Sequence, residues 1–215
     1  MKNITFILVT GLFLAACNNK TDKVDQKANT PVKTGHERHQ MEMPSTSSRK
    51  YIDSINSGLI KTDTLKGSPQ LVAMRTIGGV HLHMVYSSPG TKGRVIWGGL
   101  VPYDKVWVTG AHKATTLDIN KAIDIGGKNI TIGKYAVFTI PGKEKWTFIL
   151  NKNYDQHLAD DYNQSEDVVR VDVVPKSNHM VQRLRYSINP VDVNRGMIAV
   201  EWEKLKIEVP FTTVK

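Results

Sequence analysis

The chain has 215 residues, with 29 Lys and Arg against 20 Asp and Glu for a formal net charge of +9, and a single cysteine. One thiol excludes a disulfide scaffold, and basic residues scattered as Lys92/Arg94, Lys143/Lys145, Arg183/Arg185 and Lys204/Lys206, without an aromatic-interleaved stripe, exclude a dedicated nucleic-acid binder and read as solvated strand faces. About 150 residues follow the polar N-terminal part, enough for one domain with its own core.

Residues 1–16, MKNITFILVTGLFLAA, carry one lysine and then an apolar run. A membrane span needs about 20 such residues, so the run reads as a signal peptide. It ends in Leu14-Ala15-Ala16-Cys17, which resembles the lipobox of bacterial lipoproteins. That resemblance implies acylation of Cys17, by palmitate among other chains, and residence in the cell envelope on a bacterial membrane, facing the periplasm or the cell surface. Several acyl chains, at about 0.8 kcal/mol per buried methylene, give a stable anchor.

Residues 17–50 follow as a tether that is rich in Lys, Asn, Thr and Ser and too poor in apolar residues to order itself. Within it, His36, His39, Met41 and Met43 place two imidazoles and two thioethers in eight residues. Thioethers with imidazoles suit copper, Cu(I) above all, while a linker of this composition by chance is the plainer reading.

From residue 51 to 215 the chain reads as one all-β domain, an antiparallel β-sandwich of jelly-roll-like type. Apolar residues recur with period two, and Gly, Pro or Asn intervene about every 8 to 12 residues. The expected strands are 70–77, 79–87, 94–98, 104–109, 114–119, 128–132, 134–140, 145–151, 168–174, 181–188, 196–203 and 205–211. One short helix is a candidate at 154–162. The segments 135–140 and 146–150 are apolar on both faces and read as central strands. Between 196–203 and 205–211 the buried parity changes, which predicts a bulge near Glu203 and Lys204.

The stretches "YSSPGTKGRVIWGGLVPYDKVWVTGAHKATT", "GKYAVFTIPGKEKWTFILN", "VVRVDVVP" and "VEWEKLKIEVPF" together resemble an uncharacterised family of exported bacterial proteins, domain-of-unknown-function family 2911, over residues 70–212. Tyr86, Pro89, Gly93, Arg94, Pro102, Tyr103, Trp107, Gly110, Ala111, Gly133, Tyr135 and Pro141 fit its pattern. Val108 stands where the pattern has arginine, and His112 where it has asparagine. The resemblance implies a fold and export, and no activity.

Candidate sites follow from side-chain chemistry. Arg94, Tyr103, Trp107, His112 and Tyr135 lie in the motif-dense half, and an arginine among aromatics suits a small-molecule, glycan or protein ligand, as it also suits a core and its corner. His112 could serve as a base or ligand, but no nucleophile signature accompanies it, and a chain corner is the simpler reading. His81 and His83, two apart on a strand, share a face and could share a metal, or could be ordinary exposed histidines. The preferred function is non-catalytic binding or scaffolding by a lipid-anchored sandwich with no cofactor. Copper binding through the tether and an uncharacterised hydrolase are the alternatives.

Overall fold

The computed structural model describes residues 46–214. The expected signal peptide, Cys17 and the His36, His39, Met41 and Met43 segment lie outside the described residues. Helix α1 (Thr46–Asn56) comes first, followed by β1 (Gln70–Ile77), β2 (Val80–Ser87), β3 (Thr115–Ile119), β4 (Ile123–Ile125), β5 (Lys128–Ile130), β6 (Gly133–Ile140) and β7 (Trp146–Asn151). A short 3₁₀ turn (Gln164–Glu166) leads into β8 (Asp167–Val173), β9 (Lys176–Pro190) and β10 (Arg195–Thr213).

These strands form two antiparallel sheets, one ordered β1-β2-β3-β6-β7-β8 and the other β5-β4-β10-β9. The fold is all-β. Two diglycines set hairpin registers: Gly78-Gly79 and Gly126-Gly127 all have positive φ, as tight two-residue turns require, leaving Ile77 opposite Val80 and Ile125 opposite Lys128. The main core lies between the sheets. Leu82 and Met84 of β2, Leu117 of β3, Val137 of β6 and Phe148 and Leu150 of β7 meet Leu184 and Tyr186 of β9 and Ile198, Val200 and Trp202 of β10.

Strands β6 and β7 are buried on both faces, as their composition predicts. Their second face carries Ala136, Phe138 and Ile149, which form a smaller cluster with Val108 and Ala114 under Ala159 and Tyr162. The bulge in β10 is also found where the parity predicts it: the β9 register shifts on both sides of Glu203, whose φ is +54°.

Two expected strands are not strands. In 94–98 and 104–109 only isolated bridges form, Trp97 to Val101 and Trp107 to Thr139. Positive φ at Gly98, Asp104 and Thr109 keeps this stretch curled, so it lies over the sandwich instead of extending into a sheet. The helix expected at 154–162 is absent as well. Leu158 has a φ of +57° and its N–H donates to the His112 carbonyl (2.7 Å), which ties this chain across the second face of β6 and β7.

Candidate functional site

Of the five residues singled out as a binding patch, Trp107, Tyr103, Tyr135 and Arg94 have their own structural partners. Trp107 is partly buried against the core: with Trp97, Trp146 and Trp202 it forms a cluster with ring centroids 4.7–6.4 Å apart, and its indole N–H donates to the Gly110 carbonyl (3.1 Å). Tyr103 packs against Gly98, where an added Cβ would lie 2.9 Å from the ring. The Tyr135 hydroxyl donates to the Thr131 carbonyl (2.9 Å) and closes the turn before β6. Arg94 is exposed and donates back to its own loop, at the Gly90 and Thr91 carbonyls.

His112 sits on an exposed corner with a φ of +63°. Among side-chain-bearing residues this left-handed conformation favours Asn, Asp and His, so the asparagine of the resembling pattern and the histidine here meet the same backbone demand. The neighbouring Val108, which replaces the pattern's arginine, is buried in the small cluster with Ala136, Phe138 and Ile149. An aliphatic side chain fits that pocket, and the two departures therefore have separate local reasons.

The reading of Arg183 and Arg185 as solvated strand-face residues fails for Arg183. Its side chain is 0% exposed and its Nε meets Asp63 Oδ2 at 2.9 Å, with Asp63 itself 5% exposed. One guanidinium nitrogen also donates to the Gly67 and Ser88 carbonyls, and another to the Leu65 carbonyl. Asn56, at the end of α1, clamps the Arg183 backbone through both its amide nitrogen (2.9 Å to the carbonyl) and its oxygen (2.8 Å from the N–H). Helix and loop are thus fastened to β9 through one residue.

This fastening builds the polar cleft that is the best candidate site. Between α1 and the sandwich lies a cavity of about 410 Å³ lined by Arg49 and Asp53 of α1, Tyr86 of β2, Arg185, Tyr186, Ser187 and Asn189 of β9, and Glu201 and Lys206 of β10. Its charges are largely paired. Arg185 Nε contacts Glu201 Oε2 at 2.5 Å, Lys206 reaches Glu208, and Arg49 donates to the Val72 carbonyl. The Tyr86 and Tyr186 rings meet with centroids 4.8 Å apart, and the Tyr186 hydroxyl donates to the Thr109 carbonyl (2.8 Å). Burial pushes the Tyr86 phenol up to about 12 and raises that of Tyr186 as well, so both are neutral hydroxyls at ordinary pH.

None of Arg94, Tyr103, Trp107, His112 or Tyr135 lines this cleft. Sequence reasoning missed it because α1 shows only Ile52 and Ile55 as a buried stripe, too short a pattern to announce a helix among polar residues. His81 and His83 do share the outer face of β2, with ring centroids 6.4 Å apart. Burial pulls the His83 pKa down, against Asp118, which pulls it up.

No curated protein and no solved structure matches the chain. A family model described as "Protein of unknown function (DUF2911)" matches residues 68–211, which run from just before β1 almost to the end of β10 and leave out α1 and Asp63. With that match over most of its length, the chain belongs to this family of unknown function.

Proposed function

We propose that the protein is a membrane-anchored cell-envelope lipoprotein whose β-sandwich binds or scaffolds and performs no chemistry, with the α1 cleft as its binding surface. The cleft carries the reading. It offers the neutral Tyr86 hydroxyl, an amide at Asn189 and the paired charges of Arg185 and Glu201, a lining suited to a polar, hydrogen-bonding ligand such as a saccharide or peptide of the envelope. A phenol held up to about 12 stays protonated near neutrality, where its hydroxyl can serve a ligand as hydrogen-bond donor or acceptor. The lipobox-like Leu14-Ala15-Ala16-Cys17 supports the anchor.

Calorimetric titration of the purified protein with soluble peptidoglycan fragments and neutral oligosaccharides tests the reading. Saturable binding that is lost in Arg185→Ala and Asn189→Ala is expected. Turnover of ester, glycoside or phosphate substrates that disappears on His112→Ala would overturn it. Labelled palmitate should enter the parent protein and not Cys17→Ala.

A further inference from the structure

Strand β2 sends Val80, Leu82 and Met84 into the core, all of them fully buried, so His81 and His83 project together from the opposite face. Their imidazoles lie nearly parallel, with centroids 6.4 Å apart and planes inclined by 24°. Residues two apart on a strand are near enough for both rings to turn toward one ion. The neighbouring strand adds a third donor. In the antiparallel register Met74 of β1 stands directly opposite His83, and this unbranched apolar residue is 59% exposed. Directly opposite residues have Cβ atoms about 5 Å apart, within reach for a thioether as flexible as that of methionine.

A second contact orients the site. Thr76, opposite His81 in the same register, holds His81 Nδ1 through its hydroxyl at 3.0 Å, and the His81 backbone N–H is fixed by Asn120 Oδ1 at 2.7 Å. With Nδ1 engaged, Nε2 is the nitrogen left facing outward, the arrangement that supporting hydrogen bonds give to metal-bound histidines. On the other side of His83 stands Asp118 of β3, but His81, His83 and Asp118 do not converge as a three-ligand group. The donor set that remains is two imidazoles and one thioether. No three His, Cys, Asp or Glu side chains converge among the described residues, so a closed site for zinc is not what this face offers.

We propose that His81, His83 and Met74 form an open surface site for Cu(I) on the outer face of the six-stranded sheet. Soft thioether with imidazole is the ligand combination that favours this ion, and an open, partly exposed site suits exchange of the ion over storage.

The test is anaerobic competition for Cu(I) against a chromophoric chelator, using the mature protein with His36, His39, Met41 and Met43 replaced by alanine so that only the folded part contributes. This protein is expected to bind one equivalent. His81→Ala with His83→Ala should abolish binding, Met74→Leu should weaken it about tenfold, and Thr76→Val should weaken it by a similar factor through loss of the orienting contact. Met74→Leu keeps apolar volume, and the histidines are surface residues, so circular dichroism should be unchanged in every variant. Failure of the parent to bind, or retention of its full affinity by the double histidine variant, overturns the site. Loss of binding in the double variant with undiminished affinity in Met74→Leu overturns the thioether's part in it.

Discussion

The guanidinium of Arg183 on β9 meets the carboxylate of Asp63, which lies in the segment between α1 and β1, at 2.9 Å, with both side chains almost completely shielded from water. A pair this deep adds little net stability of its own, because desolvating two charges offsets most of their attraction, but removing one partner strands the other. Asp63→Ala is therefore expected to destabilise the protein by about 3–5 kcal/mol in urea denaturation. Adding Arg183→Met should recover part of the loss, since the stranded charge is then gone. If the single variant unfolds at the parent's urea midpoint, the pair does not hold the loop.

Gly90 stands against the same pair. A Cβ there would lie 2.5 Å from Asp63 Oδ2 and 3.5 Å from the Arg183 guanidinium carbon, while the residue bridges to Arg183 on the edge of β9. Gly90→Ala should therefore push Asp63 away and destabilise by about 1–3 kcal/mol, as overpacking of a close site does. The double variant Gly90→Ala, Asp63→Ala should cost less than the sum of the two singles, because the clash and the lost pair share one atom. Strict additivity in a denaturation cycle would contradict that geometry.

Where local pattern and burial coincide, the sequence is sufficient to read the fold. Ala136, Phe138 and Ile149 alternate with Tyr135, Val137 and Phe148, and both sets find cores. The parity change around Glu203 likewise becomes a real bulge. Reading fails where burial comes from a distant loop. Arg183 is enclosed by the carbonyls of Leu65, Gly67 and Ser88, none of which is near it in the chain, so nothing in the alternation of β9 marks it as interior. For the aromatic group around Trp107 the sequence left a ligand site and a core corner open, and curled backbone, not a strand, delivers Trp97 and Trp107 to Trp146 and Trp202. The cleft was illegible for the same reason: its walls come from a weakly patterned helix and two strand pairs, β1/β2 and β9/β10, that lie about a hundred residues apart in sequence.

His112 separates a backbone role from a chemical one. At a φ of +63° a β-branched residue is strained, whereas glycine and asparagine are tolerated. His112→Asn and His112→Gly should leave the thermal midpoint unchanged or slightly raised, and His112→Val should destabilise by about 1–2 kcal/mol. The ordering Asn and Gly above Val, read by thermal denaturation, is what a corner residue gives. A loss of ligand binding at unchanged stability in His112→Asn would instead give the imidazole a function.

Tyr86 forms a wall of the cleft, and its ionisation reports how dry that wall is. Burial raises the phenol from its ordinary 10.0 to about 12, with the Tyr186 backbone opposing the shift by hydrogen bonding. The sign follows directly: because the folded protein holds this proton more tightly than the unfolded chain, the contribution is intact below about 10 and is lost as pH rises through about 12. Spectrophotometric titration should show a late phenolate step, shared with Tyr162, whose phenol burial also raises to about 12, and that step should lose the amplitude of one phenol in Tyr86→Phe. Alkaline destabilisation should also be shallower in that variant, since one of the groups that unfolding allows to ionise has been removed. A saccharide or peptide seated against Tyr86 would exclude water further and move the same step to still higher pH. Titration with and without ligand therefore distinguishes binding at this wall from binding elsewhere on the sandwich.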